Sequence, residues 1–272
     1  MTYDMGRGGL DYLPCRYGAS KILFRGPRKS LDVPYIAMLG GTETYGKYVE
    51  APFADQIEAA LRTPCVNLGC LNAGIDAFAQ DASLMDIAAQ AQVTVIQVMG
   101  AQNMSNRLYS VHPRRNDRFV KPSSVLQMIY REVDFTEFNF NRHMLMRLQA
   151  ISAERFETVC EELRSAWVAR MNLLLARIPG KTVLLWASER SPDDAAKRFD
   201  SDPWLVGREE LNEVSENVTE VVEVVFSKDA VAAGTQGMVF AEMERPAAES
   251  VMNAAAHAEV SAALKPVLSA MV

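Results

Sequence analysis

Five short apolar runs separated by segments of helical periodicity constrain the fold of this 272-residue chain more than any other feature. The clearest run, VTVIQVM at 93–99, is nearly continuous and β-branched, which is typical of a central strand buried on both faces. Strands that alternate with helices form parallel sheets covered on both sides. The pattern therefore predicts a three-layer α/β/α sandwich. Its five predicted strands are 35–39, 65–68, 93–99, 182–187 and 221–226.

Helical periodicity is clearest over about 153–178, where apolar residues recur on one stripe. Ser152 stands at the position of an N-cap, and Pro179 and Gly180 end the pattern. Shorter helical patterns separate the first three predicted strands. We expect these helices to cover the sheet.

The connection between the third and fourth predicted strands is much longer than a βαβ crossover requires. We predict a helical insertion or cap at about 105–180, inside one domain at 35–272 that follows an N-terminal extension at 1–34. Because the insertion leaves the carboxyl end of the central strand, it could cover a site there as a lid. A polar segment at 189–203 leaves the same edge and is predicted to be mobile.

Charge and composition limit the partners of the chain. A net charge of −6 disfavours a nucleic-acid partner, and 49% hydrophobic with 23% charged residues is ordinary for a globular protein. Neither a membrane-spanning apolar run nor the apolar region of a secretory signal is evident. We expect a cytoplasmic protein with no membrane association, and a homo-oligomer is left open.

The four cysteines, Cys15, Cys65, Cys70 and Cys160, do not have metal-ligand spacing, and no histidine-rich segment accompanies them. Buried thiols are the favoured interpretation. We predict no metal and no cofactor.

Glycine-rich or polar loops follow three of the predicted strands. GGTETYG at 40–46 places the hydroxyl of Thr42 just beyond a buried strand, where α/β proteins carry out their chemistry. The second strand runs into NLGCLNAG at 67–74 and the third into GAQN at 100–103, while His257 precedes the last helical pattern. Since the carboxyl ends of parallel strands share one edge, these residues are expected to outline a site.

This order of motifs resembles the SGNH (GDSL-type) hydrolase superfamily. The resemblance covers roughly 35–226 and the C-terminal helix, and leaves the long insertion unexplained. It implies a flavodoxin-like parallel five-stranded sheet and ester hydrolysis through a serine, with a histidine base and an oxyanion hole formed by a glycine and an asparagine. GGTETYG and HPRRNDRF at 112–119 together also look like an uncharacterised bacterial domain family, which would add no activity.

The family's Gly-Asp-Ser motif becomes Gly40-Gly41-Thr42 here, so the resemblance places Thr42 where the nucleophilic serine would stand. A threonine hydroxyl can attack a carbonyl once a base deprotonates it, although its methyl group crowds the approach. Gly41 is assigned to the oxyanion and substrate side of the same loop. The missing aspartate removes a group that could order this loop.

His257 matches the base of the family by position, but the usual Asp-x-x-His becomes Ala254-Ala-Ala-His257. Asn253 cannot supply the charge that stabilises an imidazolium. Either a dyad without an aspartate or a substitute acid, such as Glu43 or a residue of the insertion, would be needed.

The family's Gly-x-Asn-Asp becomes Gly100-Ala101-Gln102-Asn103, so either Gln102 or Asn103 would donate to the oxyanion. Loss of one such donor typically costs about 10² to 10³ in rate. The glycine donor maps to Gly69 or Gly74, and Gly74 fits better because its loop can approach the first strand.

Arg114 and Arg115, with Arg118 and His112, form a basic cluster in the insertion. Guanidinium groups suit an anionic substrate. The alternative is an insertion loop held by Asp117 and nearby acids, and the sequence does not separate the two.

Phe135, Phe138 and Phe140 form a closely spaced aromatic stretch, three and two residues apart. They could form a substrate wall, although packing of the insertion onto the core is favoured.

These observations lead to two functional hypotheses. The first is a hydrolase that cleaves an ester or O-acyl group of a small or carbohydrate-linked substrate, with Thr42 attacking and His257 taking its proton. The second is a catalytically degenerate protein of the same fold that binds an anionic or sugar ligand. Group transfer, with the arginine cluster holding an anionic donor, is a weaker third alternative.

Overall fold

A computed structural model describes residues 9–194 and 202–272. In chain order the strands are β1 (Ile36–Gly40), β2 (Cys65–Gly69), β3 (Val93–Gln97), β4 (Tyr109–His112), β5 (Arg115–Pro122), β6 (Lys181–Ser188) and β7 (Glu220–Val225). The helices are α1 (Thr42–Tyr45), α2 (Phe53–Leu61), α3 (Asp76–Ala79), α4 (Ala82–Gln90), α5 (Ser124–Ile129), α6 (Asn141–Ile151), α7 (Ala153–Leu175), α8 (Arg208–Ser215), α9 (Lys228–Ala232), α10 (Arg245–Ala248) and α11 (Ala254–Ser269). Two 3₁₀ turns lie at Phe135–Glu137 and Glu242–Glu244.

Five parallel strands form the central sheet in the order β2-β1-β3-β6-β7. This is the order of flavodoxin-like folds, in which the crevice at the carboxyl ends of the strands binds ligands. Ile36 of β1 pairs with Cys65 on one side and Val93 on the other, so the three strands start level. The predicted three-layer sandwich and its parallel sheet are confirmed.

The sheet separates two hydrophobic cores because successive side chains of a strand point to opposite faces. Ala37 and Leu39 belong to the core that contains Trp167 of α7. Ile36 and Met38 belong to the other core, which α2 and α11 cover. Both faces of the central strands are therefore buried, as their continuous apolar runs predicted.

Helix α7 confirms the longest helical pattern of the sequence. The Ser152 hydroxyl accepts a hydrogen bond from the amide of Arg155 at 3.2 Å, which caps the first turn. The apolar stripe of α7, including Trp167 and Met171, is buried against the sheet. This helix completes the crossover from β3 to β6.

The segment between β3 and β6 contains α5, α6 and α7, as expected of a helical insertion, and also a hairpin that was not predicted. It begins with the antiparallel hairpin β4-β5, whose register is irregular at Ser110 to His112. The polar stretch at 112–119 forms the turn of this hairpin and most of β5. Within it Asn116 and Phe119 are buried, whereas Arg114 and Arg115 are exposed.

The described part of the N-terminal extension packs against the domain. Cys15 and Phe24 form an isolated bridge, and Tyr17 and Phe24 join the core beside α7. Arg25 donates to the carbonyls of Gly46 at 2.7 Å and Glu50 at 2.6 Å. These contacts join the extension to the loop after β1.

The first eight residues of the extension, and 195–201 of the predicted polar segment, lie outside the described residues. Within the described ranges, no helix is long and apolar enough to cross a membrane.

Candidate small-molecule site at the carboxyl edge of the sheet

A cavity of about 790 Å³ opens at the carboxyl ends of β1, β3 and β6. This is the edge at which open parallel sheets place their ligands. The loops after β1, β2, β3 and β6 and the segment between β7 and α11 form most of its wall, and Arg142 of α6 also contributes. The polar side chains that line it are those of Thr42, Glu43, Asn72, Gln97, Gln102, Asn103, Arg142, Ser188, Glu189, Asp202, Thr235, Glu249, Ser250 and Asn253.

Thr42 lies at the first residue of α1 and faces the cavity. Its Oγ1 accepts from the amide of Asn72 at 3.0 Å and donates to Oδ1 of Asn72 at 3.4 Å. Asn72 has a φ of 54°, a left-handed conformation that asparagine adopts more readily than most residues. The loop after β2 therefore orients the hydroxyl that follows β1.

Gln97 is the organising residue beneath this loop, and sequence reasoning missed it. Its buried Oε1 accepts from the amide of Gly41 at 3.0 Å and from the amide and hydroxyl of Thr44 at 3.2 and 2.7 Å. Its Nε2 donates to Oε2 of Glu43 at 2.8 Å. The available signal was a single amide near the end of an otherwise apolar strand.

Glu43 places a carboxyl group in the cavity with an altered acidity. Burial raises the pKa of Glu43, the hydrogen bond from Gln97 opposes this change, and the negative charge of Asp202 adds to it. A carboxyl group with a raised pKa in a cleft is a candidate for proton transfer.

His257 is not brought to Thr42. Its side chain is fully buried, and its Nδ1 accepts from the amide of Phe53 at 3.1 Å while the two rings stack at 5.7 Å. Among the described residues its Nε2 has no partner. Burial, with a smaller effect of Arg25, lowers the pKa of His257 from 6.5 to about 3.

The position of His257 around the axis of α11 explains why its side chain does not reach Thr42. Asn253 and Ala256 line the cavity, whereas His257 does not. One residue turns the helix by about 100°, which directs the imidazole to the start of α2. The meeting of His257 with Thr42 that the resemblance implied is therefore not observed.

Gly74 and Asn103, which were expected to donate to an oxyanion, both have partners within the protein. The amide of Gly74 donates to Oδ1 of Asn116 at 3.0 Å and is not directed to a ligand. Asn103 does line the cavity, but its Nδ2 donates to the carbonyl of Asn72 at 3.2 Å and its Oδ1 accepts from Asn141 at 3.2 Å. Asn103 thus connects the insertion to the cavity wall.

Gln102 and Gly41 also line the cavity. The Nε2 of Gln102 donates to Oδ1 of Asp202 at 3.1 Å, and its Oε1 is buried with no partner within the described ranges. The amide of Gly41 is taken by Gln97. Gln102, one of the two predicted oxyanion donors, thus has an unused acceptor, while its donor Nε2 is directed to Asp202.

Arg114 and Arg115 do not reach the cavity. Both are exposed at the turn of the β4-β5 hairpin, where Arg115 pairs with Asp117 at 3.3 Å. Arg118 lies over the ring of Phe140 at 4.0 Å. The guanidinium that does line the cavity is Arg142, at the start of α6, and no pattern in the sequence marked it.

The described lining of the cavity is predominantly acidic. Glu43, Glu189, Asp202 and Glu249 contribute carboxyl groups, and Arg142 contributes a guanidinium. No group of three or more histidine, cysteine or acidic side chains in the described ranges is arranged to hold a metal ion. The cavity therefore presents amides, hydroxyls and carboxyl groups to whatever it binds.

Comparison with known proteins gives one family match. The family model described as Domain of unknown function (DUF6473) matches residues 1–272. A search of curated proteins finds no match.

Among solved structures, the chain is similar to a lipase from a goat rumen metagenome, with 12% identity, 88% of this chain and 98% of that chain covered, and a TM-score of 0.42. It is also similar to a protein from Lactobacillus plantarum, with 12% identity, the same two coverages and a TM-score of 0.40. Likeness at this level assigns no function.

Proposed function

This chain belongs to the family described as Domain of unknown function (DUF6473), and from its cavity we propose that it binds a neutral, hydroxyl-rich small molecule of the carbohydrate class. The observation that carries this proposal is the lining of the cavity, in which amides such as Gln102 stand beside carboxyl groups such as Glu43 and Asp202. Such groups accept and donate the hydrogen bonds that sugar hydroxyls require.

The charge of the lining selects between the sugar and the anionic ligand that the sequence left open. Four carboxyl groups face one guanidinium within the described lining. Like charges at short distance repel strongly in a partly enclosed site. Arg114 and Arg115, which could have held an anion, lie away from the cavity. A neutral ligand is therefore favoured.

Hydrolysis of an ester or O-acyl group, as in SGNH-like hydrolases, is the second candidate. Two features favour it: the Thr42 hydroxyl lines the cavity, and the adjacent Glu43 has a raised pKa. Because His257 is packed elsewhere, Glu43 would take the proton as Thr42 Oγ1 attacks the acyl carbon. The alcohol would leave with that proton, and water would then release the acid from the acylated threonine.

Calorimetric titration with neutral mono- and disaccharides, and with their phosphate esters, tests the binding proposal. We expect a neutral sugar to bind and its phosphate ester to bind at least tenfold more weakly. Glu43→Gln should weaken binding of the sugar, whereas Glu137→Gln, an exposed acid of the insertion outside the cavity lining, should not. Tighter binding of the phosphate esters would contradict the proposal.

O-acetylated forms of the same sugars test the second candidate. We expect acetate release that Thr42→Val lowers by at least about 10³, because valine keeps the shape of threonine without its hydroxyl. Release that is unchanged in Thr42→Val would exclude Thr42 as nucleophile. Binding without any acetate release would leave the protein a binder alone.

A further inference from the structure

A second concavity of about 470 Å³ lies in the insertion, between β5, α5 and the 3₁₀ turn at Phe135–Glu137. None of its lining residues lines the cavity at the sheet edge. It is therefore a separate site, built by the segment that the proposed function leaves without a role.

The floor of this pocket is aromatic. Phe119, Phe135 and Phe138 line it, with ring centroids 6.4 Å apart for the first pair and 6.2 Å for the second. Each phenylalanine keeps 6 to 9% of its surface exposed. Tyr130 also lines the pocket and is fully buried. Apolar ring edges are thus available to a flat or chain-like ligand.

The rim of the pocket carries positive charge that the described residues do not neutralise. Lys121 and Arg131 are exposed and line the pocket, and neither forms an ion pair within the described ranges. Glu132, next to Arg131, is held instead by Arg155 through both of its oxygens.

Asp134 is the acid that lines the pocket, and its carboxylate accepts hydrogen bonds from the neighbouring Thr136. One of its oxygens accepts from the amide of Thr136 at 3.0 Å and from its hydroxyl at 2.7 Å. These hydrogen bonds order the 3₁₀ turn and turn the carboxylate toward Thr136. The same bonds lower the pKa of Asp134, so its carboxylate keeps its negative charge. Lys121 and Arg131 outnumber this one acid in the lining, and the pocket carries a net positive charge.

We propose that this pocket binds an apolar anion, whose ring or chain lies on the phenylalanine floor and whose acidic end pairs with Lys121 and Arg131. Each half of the proposed ligand corresponds to one observation. The aromatic floor provides contact area without hydrogen bonds, and two cations at the rim fix the direction in which the ligand lies.

Calorimetric titration of the full chain with naphthalene-2-sulfonate tests this proposal. The probe should bind with one-to-one stoichiometry and at least tenfold more tightly than uncharged 2-naphthol. The double variant Lys121→Gln, Arg131→Gln should bind it about tenfold more weakly, since two partly exposed ion pairs are lost. Methanesulfonate, which has the charge without the ring, should not compete.

Arg114→Gln is the matched control, because it removes one exposed positive charge of the same hairpin outside the pocket. It should change the affinity less than twofold. Unchanged affinity in the double variant would overturn the proposal, and so would equal affinity for 2-naphthol or a lack of binding at about 1 mM probe. All three substituted residues are exposed, so the fold is expected to persist, and circular dichroism verifies this.

Discussion

At the scale of the residue, Gln97 shows how one buried amide can hold a loop that faces a ligand. Its Oε1 accepts three hydrogen bonds from the loop after β1, and two of the donors are the amides of Gly41 and Thr44. Gln97→Leu leaves those amides buried without an acceptor, so we expect a loss of about 2–4 kcal/mol in the free energy of unfolding. Urea denaturation measures this loss.

Gln56→Leu is the control for Gln97→Leu. Gln56 is half-buried and makes one side-chain hydrogen bond, to the carbonyl of Ala51 at 2.8 Å, which is exposed to solvent. Its replacement should cost less than about 1 kcal/mol. Equal losses in the two variants would show that the loop does not depend on Gln97.

His257 leads to a prediction about pH. Its pKa in the folded protein is lowered from 6.5 to about 3, so between these values the unfolded chain binds a proton that the folded protein cannot. The stability associated with this group is therefore complete above pH 6.5 and is lost as pH falls toward 3. The loss approaches about 1.4 kcal/mol per pH unit.

Urea denaturation between about pH 7.5 and 4.5 checks this prediction. His257→Gln keeps an acceptor for the amide of Phe53 but has no proton to bind, so its stability should fall less steeply with decreasing pH than that of the unmodified chain. His143→Gln, at an exposed position, should retain the steeper dependence. Parallel curves for all three proteins would contradict the buried, neutral state of His257.

Gln97 and His257 show how far the role of a single residue could be predicted from the sequence. The interruption of an apolar strand by Gln97 was readable, since a buried polar side chain needs partners at the end of a strand. His257 was singled out by its position before the last helix, but its burial depends on which face of α11 meets α2. A shift of one residue along α11 decides whether a side chain faces the cavity or the core.

At the scale of the element, Asn253 ties the start of α11 to α9. Its Oδ1 accepts from the amide of Ala256 at 2.9 Å, and its Nδ2 donates to the carbonyl of Ala230 at 2.8 Å. Asn253→Ala removes both bonds and should lower the free energy of unfolding by about 2 kcal/mol. Asn253→Ser keeps a capping oxygen and should lose about half as much. Urea denaturation of both variants separates the contribution of the capping bond from that of the bond to Ala230. Equal losses in the free energy of unfolding would show that the capping bond contributes nothing.

The strands of the sheet were predicted closely because burial on both faces leaves a continuous apolar run, as in β3 and β6. The hairpin β4-β5 was not predicted. Its strands have one face toward solvent, and the charged residues at 114–118 hide the alternation that a half-buried strand normally shows. Its irregular register weakens the pattern further.

At the scale of the whole molecule, Asn116 connects the insertion to the sheet domain. Its Oδ1 accepts from the amides of Gly74 and Ala77, both at 3.0 Å. Asn116→Ala removes the acceptor of both amides, so their hydrogen exchange should accelerate by at least about tenfold. Asn139→Ala, at an exposed position nearby in the chain, should leave it unchanged. Unaltered exchange in Asn116→Ala would show that the hairpin is held by other contacts.

The location of the candidate site followed from the parallel topology, since every loop that was singled out leaves the same edge of the sheet. The identity of all the residues that line the site did not follow from the topology. Thr42, Gly41, Gln102 and Asn103 do line one cavity, but Arg142 and Glu249 reach it from distant parts of the chain. Contacts between segments so far apart in sequence are set by packing, which local patterns do not encode.

The tight joint between the loops after β2 and β3 has a consequence for how the cavity can change. A Cβ atom at Gly74 would lie 1.7 Å from the carbonyl oxygen of Asn103, so these two backbones already touch. Gly234, which lines the cavity, differs in that a Cβ atom there would meet nothing within 4 Å. Any side chain at Gly74 must therefore push the two loops apart, so the form of this part of the cavity wall depends on the absence of a single methyl group.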